Sequence, residues 1–491
     1  MKYSLRNSPF RNIVISIGTL LLLCFRGMAE TNITVDILQG GNDKKINKNV
    51  FGTSILGWEE DHGRKISKNV KLSADYCYGF WDGKWNEYAK EPFSLVKNIK
   101  IGSIRLSGQF TGWEKGVGEF GKKEYAFGLN EQLKFCQDIG AEPIICLQNI
   151  DLTENYVKLF EYLKNNYSYV KYIEIGNESY QNLSVEDYTR RYLFYYGMIK
   201  NINADIKIGF VGRDVIWESK ILAIIGNRFD FIVEHYYPHG GRNNDPRQDG
   251  NKVFADLFPK ATAIEKSIQD TLSLMDRTIG ERKPIAVTEY NAWFVQEKPV
   301  PYRHCLGTAL INAELLRIFM KPESNILTAN IWNFINEYWG MIANGFNGEY
   351  RMLNNPYYKR PNYLLFEMYS NHFGDILLEP QVICDKYGRD DKKVFNLSVN
   401  ASKSTDGSKV YLMVINKNMD DSETSTIDLK DFIPAAEGNV WILNGPSVDA
   451  TNEVKHDNVK ITHKQFEVKS SPFEFTFEPH SLTAIELTKK Q

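Results

Sequence analysis

Cysteine is scarce: six in 491 residues, with no C-x-x-C pair and no Cys/His ligand spacing. That argues against a disulfide framework and against a structural zinc site. Positive charge is not in excess. Lys and Arg number 59 against 61 Asp and Glu, a formal net charge of −2. No basic field is present to hold a phosphate backbone, so nucleic acid is not an expected partner. Beyond the N-terminus no apolar run approaches the ~20 residues needed to span a bilayer. No strand-like run is followed by G-x-G-x-x-G, which removes the phosphate turn of a dinucleotide fold. What is present is ordinary for a globular chain, 43% apolar and 24% charged. That composition is neither collagen-like nor disordered. Aromatics reach 13%. They suffice for a large aromatic core and supply flat faces that suit sugars.

Residues 1–29 read as a secretory signal peptide. Lys2, Arg6 and Arg11 form a positive start, residues 13–23 an apolar run, and Gly27-Met28-Ala29 a small-residue cleavage site. Cys24 follows Leu23, where a lipoprotein signal needs a small residue, so a lipid anchor is disfavoured. The expected location is secreted or periplasmic. Removal of this segment leaves 55 basic and 61 acidic residues, a net −6. Cys77, Cys136, Cys146, Cys305 and Cys384 remain. Cys136 and Cys146 lie in apolar settings and read as buried thiols.

A β-rich run, a polar loop and a helical pattern then recur eight times. The β-rich runs are 50–58, 103–107, 143–148, 172–178, 207–211, 231–237, 284–290 and 327–334. Several are nearly continuously apolar, such as Ile144-Ile145-Cys146-Leu147, as in strands buried on both faces of a parallel sheet. Helical patterns intervene at 130–138 with Gly140 as stop, at 155–163, from a Ser184 capping box to 200, and at 257–275 and 306–319. The count and length are those of a (β/α)8 TIM barrel. From about residue 375 the rhythm changes to short strands at 394–399, 410–415, 424–429, 440–443, 459–461 and 473–477, with a hairpin turn at Thr405-Asp406-Gly407. That reads as a β-sandwich. The isolated strand at 33–38 is expected to join it. The expected organisation is therefore a signal peptide (1–29), an N-terminal sandwich strand (30–45), an α/β catalytic barrel (46–372) and a C-terminal β-sandwich (373–491).

In such a barrel the active site lies at the C-terminal strand ends. The fourth strand ends on Asn177-Glu178 and the seventh on Thr288-Glu289-Tyr290-Asn291. Two carboxylates across one cleft are the parts needed to cleave an acetal: one protonates the leaving oxygen, the other takes the anomeric carbon. Arg105, inside the second strand, must be paired there, and one of the two glutamates is its expected partner. Its charge favours the ionised form a nucleophile requires. Repulsion from that nucleophile and an apolar cleft are expected to keep Glu178 protonated near neutrality. Trp58, Glu59, Gln148, Asn149, His235, Tyr236, Trp332, Asn333 and Asn336 stand at or just beyond other strand ends, as stacking and hydrogen-bonding groups for a sugar. Glu234-His235-x-x-x-His239 lacks the helix that zinc ligands at i, i+4 require. A Cys146–His235 hydrolase lacks an oxyanion signal. No metal and no cofactor are expected.

These strand-end motifs resemble the clan A glycoside hydrolases, (β/α)8 enzymes with acid/base and nucleophile after strands four and seven. Glu174-Ile175-Gly176-Asn177-Glu178 and Thr288-Glu289-Tyr290-Asn291-Ala292-Trp293 resemble the acid/base and nucleophile motifs of the family 51 α-L-arabinofuranosidases. Asn49-Val50-Phe51-Gly52 is similar to their first-strand opening. The resemblance implies Glu178 as acid/base, Glu289 as nucleophile and Asn177 as a contact to the sugar 2-hydroxyl. The chain departs at Arg105-Leu106-Ser107-Gly108-Gln109, where the family has an Arg-x-Pro-Gly-Gly-Asn type of sequence. The function implied is a secreted retaining glycoside hydrolase, an α-L-arabinofuranosidase acting on plant polysaccharide side chains. The alternatives are another clan A glycosidase (β-xylosidase, β-glucuronidase or endo-glycanase) and a non-catalytic carbohydrate-binding protein on a decayed barrel. The expected partner is an oligo- or polysaccharide, with no integral membrane contact once the signal is removed. Homo-oligomerisation is left open.

Overall fold

The computed structural model describes residues 31–38, 44–56, 81–82, 87–108, 128–148, 150–151, 156–239, 249–292, 300–335, 339–343, 357–387 and 393–491. Residues 1–29, read above as a signal peptide, and Trp58, Glu59, Cys77, Asn149, Trp293 and Asn336 lie outside them.

Eight parallel strands close into a barrel: Gly52–Leu56, Ser103–Gly108, Glu142–Leu147, Tyr172–Ile175, Lys207–Val211, Phe231–Tyr236, Ile285–Tyr290 and Ile326–Ile331. The eighth pairs with the first through Asn330↔Gly52 and Ile331↔Thr53. Gly52 is required at this seam. A Cβ there would stand 2.7 Å from the Ala329 carbonyl oxygen and 2.2 Å from Ser103 Oγ. Side chains alternate along each strand. On the second strand Ile104 and Leu106 join the shell of helices, while Ser103 and Arg105 face other polar groups inside.

The helical signals worked where caps were explicit. Leu129–Ile139 stops at Gly140, whose φ of +76° continues no helix. Val185–Ile202 starts on Ser184, whose hydroxyl accepts from the Asp187 N–H. Leu306–Phe319 also runs as expected. The helix expected at 257–275 is longer, Gly250–Ile279, because Asp249 caps it two turns earlier and Pro259 is accommodated inside it. Among the described residues no helix is long and apolar enough to cross a membrane.

The barrel's last helix, Pro361–Asn371, leads into two sheets. One has the order Gln381–Ile383, Asn32–Asp36, Glu423–Lys430, Phe473–Phe477. The other has Ile376–Leu378, Leu397–Lys403, Lys409–Asn416, Ser481–Lys489, Pro434–Asn444, Lys460–Glu467. The N-terminal strand sits inside the first sheet, parallel to Glu423–Lys430 with Ile33 opposite Ile427. Ile33 and Val35 are fully buried between the sheets. Each such side chain contributes roughly 1.5–3 kcal/mol, enough to hold the chain's start against its end. The middle of the six-stranded sheet is buried on both faces. Leu412 and Val414 face the sandwich core, and Met413 and Ile415 face the barrel helices. Two of its strands were not expected, Ile376–Leu378 and Ser481–Lys489, the latter central in the sheet. The edge strand Lys460–Glu467 is longer than foreseen because its exposed polar residues mask the apolar alternation.

Candidate active site

The fourth strand turns sharply after Ile175. Gly176 has φ +94°, and a Cβ there would meet Ser179 Oγ at 2.3 Å. Glu178 itself sits in the left-handed region, φ 43° and ψ 37°. For a non-glycine residue that costs on the order of 1–2 kcal/mol and typically marks a functional position.

Arg105 is fully buried at the centre of the site. Nε and Nη2 grip both oxygens of buried Glu174 at 2.9 and 2.7 Å, and Nη1 donates to Glu289 Oε1 at 2.6 Å. Nη2 also donates to Asn177 Oδ1 at 2.7 Å and lies 3.3 Å from Cys146 Sγ. Arg105 therefore has two carboxylate partners. The expected one, Glu289, is the lesser share of its ion pairing. Burial works against its charge, but Glu174, Cys146 and Glu289 raise its pKa further still. With Oδ1 committed to Arg105, Asn177 keeps its amide N–H groups for substrate.

Glu289 is buried, 8% exposed. Its second oxygen accepts from the Tyr237 hydroxyl at 2.5 Å. Burial and the Glu289 charge push the Tyr237 hydroxyl upward, so it stays a donor. Glu178 Oε1 pairs with His235 Nδ1 at 3.0 Å, and His235 Nε2 lies 3.1 Å from Thr288 Oγ1. Gln181 Nε2 donates to Glu178 Oε2. Hydrogen bonding from His235, with a smaller contribution from the nearby Tyr180 hydroxyl, holds the Glu178 carboxyl below the usual carboxylate range despite desolvation. This corrects the expectation that the free site keeps Glu178 protonated: His235 lies between the two glutamates, 3.7 Å from Glu289 Oε2, and its hydrogen bond favours the Glu178 carboxylate.

One further expectation is corrected. Tyr236 does not face the mouth. Strand alternation turns it outward, where its ring stacks on Phe319 of the Leu306–Phe319 helix with centroids 6.4 Å apart. The residue that serves the site is Tyr237, one position on. Glu234 is likewise outward and buried, its carboxyl pushed up by burial and by adjacent Glu218, to which Thr271 donates at 2.9 Å. With His239 exposed, Glu234-His235-x-x-x-His239 does not converge. Burial and Glu174 raise the Cys146 thiol well above its ordinary value, so it is no nucleophile at neutral pH.

Gln148 ends the third strand half-buried. Trp332 ends the eighth. Its carbonyl accepts from Asn291 Nδ2 at 2.7 Å, which ties strands seven and eight together behind Glu289. Trp58 lies outside the described residues. Glu178, His235 and Glu289 are also a group with metal-ligating atoms all within 4.8 Å of one another. Arg105, 2.6 Å from Glu289, opposes a cation there, and hydrogen-bond donors already meet these carboxylates.

That same spacing places oxygens of Glu178 and Glu289 within 4.8 Å across the mouth. Retaining glycosidases hold their carboxyls ~5–5.5 Å apart, whereas inverting ones leave ~6.5–9.5 Å for a water. Fold and paired glutamates define a (β/α)8 glycoside hydrolase.

Within that class the chain resembles the family 51 α-L-arabinofuranosidases. The α-L-arabinofuranosidase C-terminal domain family matches residues 288–481, from the end of the seventh barrel strand into the sandwich. A probable α-L-arabinofuranosidase C of Aspergillus niger is 23% identical, over 90% of this chain and 94% of that protein. A Thermotoga maritima α-L-arabinofuranosidase solved with arabinose superposes with a TM-score of 0.74 at 24% identity, covering 93% of this chain and 100% of that one. The family 51 enzyme of Thermotoga petrophila gives 0.74 at 23%, covering 93% and 99%.

Proposed function

We propose that the protein is an exported, exo-acting, retaining α-L-arabinofuranosidase that removes terminal arabinofuranosyl groups from plant polysaccharide side chains. The observation that carries the reading is the pair of carboxylates within 4.8 Å at one barrel mouth, beside the likeness of the whole chain to arabinofuranosidases. Glu289, held at one oxygen by Arg105 and at the other by Tyr237, attacks the anomeric carbon as the glycosidic bond breaks. Glu178 gives its proton to the departing oxygen. The resulting glycosyl ester on Glu289 is then cleaved by a water whose proton Glu178 takes back. Asn177 binds the sugar through its free amide N–H, and Gln148, His235 and Trp332 line the strand ends around it.

The wild-type enzyme is expected to turn over 4-nitrophenyl α-L-arabinofuranoside in preference to the xyloside, galactoside and glucuronide. Proton NMR should show the α-anomer first. An initially inverted sugar, or preference for one of the other glycosides, overturns the assignment. Export is tested by N-terminal sequencing of protein recovered outside the cytoplasm, expected to begin at Glu30. Recovery of the exported protein still carrying residues 1–29 contradicts cleavage after Ala29.

A further inference from the structure

Both carboxylate oxygens of Glu178 are occupied in the free site, and by different kinds of partner. His235 on Oε1 is deep, its side chain 7% exposed. Gln181 on Oε2 is at the surface. An acid that protonates a glycosidic oxygen must present one oxygen to the incoming substrate. Oε2 is the oxygen that substrate can reach, so the Gln181 amide stands where the leaving-group oxygen must come. Gln181 belongs to the single turn Ser179–Gln181 that directly follows Glu178 and is closed by Gln181 N–H to Glu178 O at 2.9 Å and Leu183 N–H to Ser179 O at 2.9 Å. Displaced from Oε2, the amide stays on that turn beside the departing sugar. Tyr180, on the same turn, places its hydroxyl close enough to favour the ionised form of Glu178 and is held in place. Trp217 meets its ring edge-on at 6.2 Å, and the half-exposed Arg213 guanidinium lies 5.4 Å over its face. The fixed hydroxyl and the exposed amide lie on the acid side of the cleft, away from the Arg105–Glu174 pair that holds the nucleophile.

We propose that Tyr180 and Gln181 determine the leaving group: the Gln181 amide bonds Glu178 while the site is empty, and that amide and the Tyr180 hydroxyl beside it meet hydroxyls of the departing sugar when substrate binds. The inference rests on the retaining-hydrolase reading above. It names a hydroxyl-rich sugar aglycone as the group recognised. A nitrophenol has no hydroxyls for the amide to meet and needs little protonation. The exchange also supplies what the free site lacks. Once Gln181 no longer donates to Oε2, the neutral acid form of Glu178 is less disfavoured.

The test compares kcat/KM on an arabinofuranosyl-substituted xylo-oligosaccharide with that on 2,4-dinitrophenyl α-L-arabinofuranoside. In Gln181→Ala the oligosaccharide-to-aryl ratio should fall about tenfold or more. The basic limb of the oligosaccharide pH profile should move upward, because a donor that favours ionised Glu178 is gone. Tyr180→Phe, which keeps the ring packing, should lower the same ratio. A ratio within twofold of wild type in both variants overturns the proposal. Failure of the wild-type enzyme to cleave either arabinofuranoside instead overturns the functional reading, so the two failures are distinguishable.

Discussion

Alanine at Glu289 should lower turnover by ~10⁴ or more, on the order of 5.5 kcal/mol of barrier, for good and poor leaving groups alike. It removes the atom that forms the glycosyl ester, and no leaving group compensates for that. Alanine at Glu178 should act differently. A dinitrophenol departs with little protonation, so Glu289 is still glycosylated. The second step then lacks its base, the ester accumulates, and a burst appears. The structure adds a reason to expect rescue by azide. With the carboxylate gone, His235 Nδ1 and Gln181 Nε2 still face the vacated space. These donors suit a small anion that needs no base. Turnover should return, with a glycosyl azide of the substrate's own anomeric configuration. Azide rescue of Glu289→Ala to the opposite anomer, with Glu178→Ala inert, would show the two roles reversed. A loss below about tenfold in both variants, ~1.4 kcal/mol, would place the chemistry elsewhere.

The barrel was legible because its strands are buried on both faces. Runs such as Ile144-Ile145-Cys146-Leu147 show an apolar signal no loop imitates, and helix starts and stops were legible where a Ser or Gly fixed the cap. The six-stranded sheet was half legible. Residues 410–415 are apolar throughout because one face meets the other sheet and the other face meets the barrel. The polar edge strand carries no such mark. In the site, Glu178 and Glu289 were readable as carboxylates at strand ends, and Arg105 as a buried cation needing a partner. The signal missed was Glu174. A carboxylate two residues into an otherwise apolar buried strand needs a cation as much as Arg105 needs an anion, and the two requirements meet in one bidentate pair. Tyr236 was chosen over Tyr237 because the strand's end was not known, and one residue decides which face of the barrel a side chain meets. The contacts of Gln181 and the position of His235 between the glutamates depend on a left-handed residue at Glu178, which no local pattern in the sequence signals.

Glu174 changes what Arg105→Ala should do. Were Glu289 its sole partner, the variant would lose activity far more than stability. In the structure Arg105 neutralises two buried carboxylates and orients Asn177. Its removal strands both charges, and breaking a buried pair by deleting one partner costs about 3–5 kcal/mol. Denaturant unfolding should therefore show a large loss. The kinetic loss should also be large, on the order of 10³ in kcat/KM, because the ionised nucleophile loses its counter-charge and Asn177 loses the bond that sets its amide. The two consequences separate in a second variant, Arg105→Met with Glu174→Gln. There the stranded charge at Glu174 is gone, so much of the stability should return. Glu289 still lacks its cation, so activity should stay low. If the double variant regains activity along with stability, Arg105 serves the fold rather than the nucleophile.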